Sequence, residues 1–167
     1  MAIEAEKVIP HSADEIVDAY ASRAFHEHLA AKVGSELKSF EVSGTSAEGY
    51  EIVSTQAMSV DKLPDIAKKV LKGTVNVTIT DTWGAPDASG SRRSDTKVEV
   101  AGAPVKGLAS QNLHARSDSE TLATIRGDVE VKIPLVGKKV KSAAEPYIAK
   151  FIELQAKEVS NFIAARS

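Results

Sequence analysis

The sequence predicts an α+β fold: a curved antiparallel sheet of about seven strands wrapped around one long C-terminal helix, with two short helices after the first strand. Three observations predict it. The apolar period changes from about 3.6 to 2 after Gly34, extended runs with turn-rich joints follow, and the helical period returns at Pro134 and holds almost to the end. The final helix is amphipathic and needs one apolar partner face, which a sheet supplies.

Residues 2–9 (AIEAEKVI) are extended in character, and Pro10 closes them because its ring disfavours helix at the preceding residue. They form the first strand. Ser12-Ala13-Asp14-Glu15 fits a capping box, in which the serine hydroxyl and the glutamate carboxylate satisfy orphan backbone donors, so a helix starts there. Ile16, Tyr20, Ala24, Phe25, Leu29 and Val33 recur at helical steps, giving one bent or two short helices over 13–33, stopped at Gly34. Runs 36–43 and 50–60 pair antiparallel across GTSAEG (44–49). In LPDIAKKVLKG (63–73), Pro64 suits a first helical turn and Gly73 a helix end, so a short helix is expected.

Four more strands, at about 74–84, 91–101, 105–117 and 120–133, are separated by Gly84–Gly90, Gly102–Pro104 and Ser117–Ser119 and make an antiparallel meander. Val136, Val140, Ala144, Tyr147, Ile148, Phe151, Ile152, Val159, Phe162 and Ile163 then form the stripe of a helix over 136–165. Pro146 removes the bond to Ser142 and restricts Glu145, which predicts a kink or short break near 144–146.

With 167 residues, 43% apolar and 26% charged, the chain reads as one globular domain over 1–167. The absence of cysteine excludes disulfides, thiolate nucleophiles and Cys-ligated zinc or iron–sulfur clusters. Its 21 basic and 23 acidic residues give −2, without the basic excess of a nucleic-acid binder. The opening residues contain no apolar leader core, and no apolar run approaches the ~18 residues of a membrane span, so a cytoplasmic protein is expected.

Motifs for common chemistries are missing. There is neither G-x-G-x-x-G nor a P-loop, and GTSAEG is one residue too long for a nucleophile elbow. Four histidines are present: His11, His26, His28 and His114. His26 and His28, two apart on a helix, point about 200° from each other and cannot chelate together. Residue 30, where an H-E-x-x-H motif would end, is alanine. No cofactor and no metal are expected.

Two segments, KLPDIAKKVLKGTVNVTITDTWG (62–84) and GDVEVKIPLVGKKVK (127–141), resemble signatures of an uncharacterised actinobacterial family. In that family Leu-Pro opens a short helix before a strand ending in Thr-x-Trp, and a Gly-Val-x-Val-x-Ile-Pro-Leu-Val-Gly strand enters the last helix. The family lies within the helix-grip superfamily of START lipid-transfer domains, plant pollen-allergen proteins and polyketide cyclases (SRPBCC proteins). The order of elements extends the resemblance over nearly the whole chain. It implies a deep cavity between a curved sheet and the terminal helix, for an apolar or amphipathic small molecule, and no particular reaction.

Strand alternation selects the residues that face such a cavity, because residues two apart share a face. The inward sets are Val75, Val77, Ile79, Asp81 and Trp83; Tyr50, Ile52, Ser54, Gln56 and Met58; Val98 and Val100; and Val105, Gly107, Ala109, Gln111, Leu113 and Ala115. The ligand-binding set expected from them is Ile52, Gln56, Met58, Val77, Ile79, Asp81, Trp83, Val100, Gln111 and Leu113, joined by Tyr147 and Phe151 from the helix. Gln56 and Gln111 are its polar handles, though the same amides fit a solid core satisfied by backbone. Asp81, among Val, Ile and Trp, must be paired, exposed at the cavity mouth, or protonated with a raised pKa. Lys138, Lys139 and Lys141 read either as an anion site at the rim or as a solvated surface run.

Three functions fit. The first is a binding or transfer protein for a hydrophobic, lipid- or polyketide-like small molecule. The second is a cyclase, dehydratase or hydrolase using Asp81 and Tyr147 for proton transfer. The third is a module whose groove holds a protein partner.

Overall fold

β1 (Ile3–Ile9) runs along one edge of a seven-stranded sheet and leads into α1 (Ala13–Tyr20) and α2 (Arg23–Val33). β2 (Glu36–Thr45) and β3 (Gly49–Ser59) follow, then a 3-10 turn at Val60–Lys62 and α3 (Asp65–Lys68). β4 (Thr74–Trp83), β5 (Arg92–Val100), β6 (Val105–Ser117) and β7 (Glu120–Val131) complete the sheet before α4 (Gly137–Arg166). The computed structural model describes residues 3–63, 65–69, 71 and 73–166. The sheet is antiparallel throughout, in the order β1-β7-β6-β5-β4-β3-β2. The expected meander is formed from β2 to β7, and β1 crosses to its far side with Ile3 opposite Gly127 and Ile9 opposite Thr121.

The local signals explain the boundaries. The Ser12 N–H donates to Glu15 Oε1 at 3.2 Å and the Glu15 N–H to Ser12 Oγ at 3.1 Å, closing the capping box on α1. Of the alternatives over 13–33, two separate helices form, and Gly34 ends the second in a left-handed conformation with φ of 72°. The β2–β3 hairpin depends on Gly44: its φ is 98°, and a Cβ there would lie 2.1 Å from the Gly49 carbonyl oxygen. The helix expected over 63–73 is confined to Asp65–Lys68, and Pro64 lies outside the described residues.

α4 runs without interruption through Pro146, so the break expected near 144–146 does not form. A proline withholds one N–H and crowds the carbonyl four residues back. Ser142 and Pro146 are both exposed, so solvent reaches the freed carbonyl and the helix continues.

The core fills one end of the sheet's concave face. Ile16, Val17, Phe25 and Leu29 from α1 and α2 are buried with Ile52, Leu113 and Val159. Each such side chain contributes about 1.5–3 kcal/mol by leaving water. The Tyr20 ring stacks on Trp83 at 5.9 Å and meets Phe25 at 5.6 Å, and Phe25 meets Phe162 of α4 at 5.5 Å. α4 follows its predicted stripe unevenly: Val140, Val159 and Ile163 are buried, whereas Ala144, Ile148, Phe151 and Ile152 are partly exposed and Tyr147 is 51% exposed. Its backbone runs nearest to β1, β7 and the shorter helices rather than to β4 or β5. The other end of the concave face is therefore left without a close cover.

Candidate functional site

Cross-strand pairing arranges the concave face in rows. Trp83, Ser94, Gln111 and Ile125 lie side by side in one row, and Asp81, Thr96, Ala109 and Gly127 in the next. Ile79, Val98, Gly107 and Val129 follow, and then Val77 beside Val100. In the first row Trp83 and Ser94 are sealed under the aromatic cluster. From the second row down, Asp81, Thr96, Ala109, Ile79, Val98, Gly107, Val77 and Val100 all keep partial exposure. Their strand neighbours Arg93, Asp95, Lys97, Lys106 and Leu108 point to the convex side, so this accessible surface lies on the concave face of the sheet, the face on which α1, α2 and α4 pack. Gly107 and Ala109 keep its floor low.

Asp81 is the polar centre of that floor. Thr96 Oγ1 donates to its Oδ1. Burial pushes its carboxyl from 3.8 up to about 6, against the opposing effect of the Thr96 bond. The buried Tyr20 hydroxyl lies close enough to respond to both Gln111 and Asp81. Burial pushes its pKa up, the Gln111 hydrogen bond lowers it, and the Asp81 charge raises it. Tyr20 therefore keeps its proton and acts as a neutral hydroxyl. Two buried polar atoms in the adjoining row, Trp83 Nε1 and Ser94 Oγ, have no hydrogen-bond partner among the described residues.

The expected ligand-binding set divides. Val77, Ile79, Asp81, Val100 and Gln111 are partly exposed on the concave face; Met58 is partly exposed near the end of β3, and Phe151 on α4. Ile52, Trp83 and Leu113 are buried in the core beneath α1 and α2, although Ile52 is the β3 neighbour directly across from Asp81. Gln56 is buried too, and its Oε1 accepts from Ser35 Oγ at 2.8 Å, so its role as a ligand handle is already taken. Tyr147 turns half its surface to solvent, and Tyr20 rather than Tyr147 is the hydroxyl that feels the Asp81 charge. In the sequence, Tyr20 stands out only as one apolar step of a helix stripe. Its polar tip is the available signal, but spacing does not say where a helix end sets its last ring.

The histidines are engaged separately. His26 Nε2 meets the Tyr20 carbonyl oxygen at 2.6 Å, and burial pushes its pKa down. His28 reaches away to Glu158 on α4 at 2.9 Å, so the two rings diverge. Burial would raise the Glu158 carboxyl, but hydrogen bonds from His28 and Asn161 and the Lys32 charge hold it below its usual value. Among the described residues no three His, Asp or Glu side chains gather as metal ligands. Lys141 is bound to Asp128 at 2.8 Å, while Lys138 and Lys139 are both exposed. No helix among the described residues is long and apolar enough to cross a membrane.

Residues 4–163 match the sequence profile of a family described as "Protein of unknown function (DUF2505)". No curated protein matches the sequence. Among solved structures, a protein from Thermus thermophilus is similar with a TM-score of 0.63 at 12% identity, covering 100% of this chain and 99% of that one. The Zhui aromatase/cyclase from Streptomyces sp. R1128 is similar at 0.61 and 9% identity, covering 99% and 94%. A START superfamily protein from Mycobacterium smegmatis is similar at 0.58 and 13%, covering 99% of each chain. These likenesses concern the fold, which is the START-like helix-grip arrangement of a curved sheet and a long C-terminal helix.

Proposed function

The chain belongs to the family of proteins of unknown function DUF2505, and from that premise we propose that it binds or transfers a hydrophobic or amphipathic small molecule in the cleft between the sheet and α4. The observation that carries this reading is the partial exposure of Val77, Ile79, Val98, Val100 and Ala109 on a concave face. Inward apolar side chains left uncovered in this way are what a ligand would cover, and an apolar surface with a few placed polar groups is the usual composition of a small-molecule site. Lipid- or polyketide-like molecules fit that composition. The START-like likeness, over residues 1–167 taken as one domain, supports the reading by analogy of fold. A cytoplasmic setting and an actinobacterial source belong to the same reading, supported by composition and by the two sequence motifs.

The test is titration of the folded protein with the neutral apolar dye N-phenyl-1-naphthylamine, together with mass spectrometry of organic extracts. Saturable dye binding that Ala109→Trp abolishes is the expected result. Absence of saturable binding by the wild type, with no co-extracted small molecule, overturns the reading.

A second reading rests on Asp81. A carboxyl whose pKa is pushed to about 6 beside the neutral Tyr20 hydroxyl has the properties of a general acid–base, as a cyclase or dehydratase would use. The aromatase/cyclase among the similar structures supports it by fold analogy alone. Turnover of polyketide or hydroxy-lipid substrates, lost in Asp81→Asn, is its test.

A further inference from the structure

We propose that the cleft selects amphipathic amines: an apolar body lying on the β4–β6 floor, with one protonated nitrogen held by Asp81. The inference rests on the binding reading above and deepens it.

Charge on the concave face carries the argument. Across the inward positions of β3 to β7, the described charged side chains are Asp81 and Arg92. Arg92 is engaged at the sealed end, where it donates to the Gly84 carbonyl and to Asp14. Asp81 has no ion-pair partner among the described residues, and the hydrogen bond it accepts comes from the Thr96 hydroxyl to Oδ1. Its second oxygen, Oδ2, is left with acceptor capacity. Directly beside it lie Ile52 on β3 and Thr96 on β5, and below it Ile79 and Val98 flanked by Ser54 and Gly107; Thr96 and Ser54 carry neutral hydroxyls, and none of these neighbours carries a charge.

A carboxylate so placed discriminates among ligands by charge. An anionic ligand meets like-charge repulsion, with no lysine or arginine on the described open rows to offset it. A neutral hydroxyl makes one ordinary hydrogen bond. A protonated amine makes a charge-assisted bond in a poorly solvated setting, where such bonds are strongest. The apolar rows beyond Asp81 extend in one direction only, toward Val77 and Val100, so the body of the ligand lies on them with its nitrogen at the Asp81 end.

The test uses three probes on one skeleton, 1-naphthylmethylamine, 1-naphthalenemethanol and 1-naphthaleneacetic acid, by calorimetry at pH 8 on the full chain. The amine should bind at least about tenfold more tightly than the alcohol, and the acid most weakly. Asp81→Asn should abolish the amine's advantage while leaving alcohol binding in place. Equal binding of amine and alcohol, preference for the acid, or an amine advantage that survives Asp81→Asn overturns the proposal while leaving the binding reading intact. If none of the three binds, the proposal falls, while the binding reading stands or falls on the dye titration and the organic extracts. Should Asp81→Asn not fold, the order of the three probes on the wild type decides alone.

Discussion

Arg92 Nη1 lies 3.2 Å from Asp14 Oδ1, and the Arg92 side chain is wholly buried while that of Asp14 is 60% exposed. The same guanidinium donates through Nη2 to the Gly84 carbonyl at 2.9 Å. One buried cation thus joins the first turn of α1 to β5 and the β4–β5 loop. Removing its acceptor leaves a charge in the interior without its counter-ion. Asp14→Ala should cost about 2 kcal/mol, the scale of a hydrogen bond to a charged group. Urea denaturation checks this, and Asp14→Ala in an Arg92→Met background should cost much less than in the wild type.

Asp81 makes stability depend on pH in an unusual sense. Its folded pKa of about 6 stands above the ordinary 3.8, so between those values the folded state binds the extra proton and stability falls as pH rises. The full loss, present above pH 6, is about 3 kcal/mol. Asp81→Asn should remove the dependence and be more stable than the wild type at pH 8 in denaturant melts.

His26 acts in the opposite direction. Burial lowers its pKa from 6.5, so the unfolded chain takes up a proton that the folded chain resists. Stability should be lost as pH falls from 6.5 toward the folded pKa. An NMR titration should show His26 half-protonated below pH 6.5, and His26→Gln should flatten this limb of the stability profile.

Tyr20 fills the core and lies stacked against Trp83. Tyr20→Ala should destabilise the fold by about 3–5 kcal/mol, the range for deleting a large buried aromatic side chain. It should also make Trp83 fluorescence accessible to acrylamide quenching, which the 3% exposure of Trp83 prevents in the native chain.

Much of this was legible in the sequence because the signals are local. The Ser12–Glu15 box, the Gly34 stop and the alternation along β4 to β6 each depend on a few neighbouring residues and formed as expected. Alternation also placed Asp81 on the concave face. It could not say which inward residues stay open, since that depends on where α1 and α2 rest. Ile52, Leu113 and Trp83 share parity with the cleft residues and differ only in being covered. The same holds on α4, where the rotation of the helix decides that Tyr147 turns outward while Ile148 is half-buried. Pro146 belongs with these cases: the helix continues where Ser142 and Pro146 are both exposed, and exposure is not written in the spacing.

The pairing of β1 with β7 fixes when the site can be finished. During synthesis each strand from β3 to β7 can dock on the neighbour that emerged just before it, but β1 waits for Thr121–Gly127 near the end of the chain. α1, which β1 precedes and which carries Tyr20, has its final seat on a sheet and on an α4 that are not yet made. The Asp81 floor is therefore laid down before its aromatic roof. A released chain that ended before residue 120 would lack β7, leaving β6 as an unpaired edge able to recruit strands from other chains.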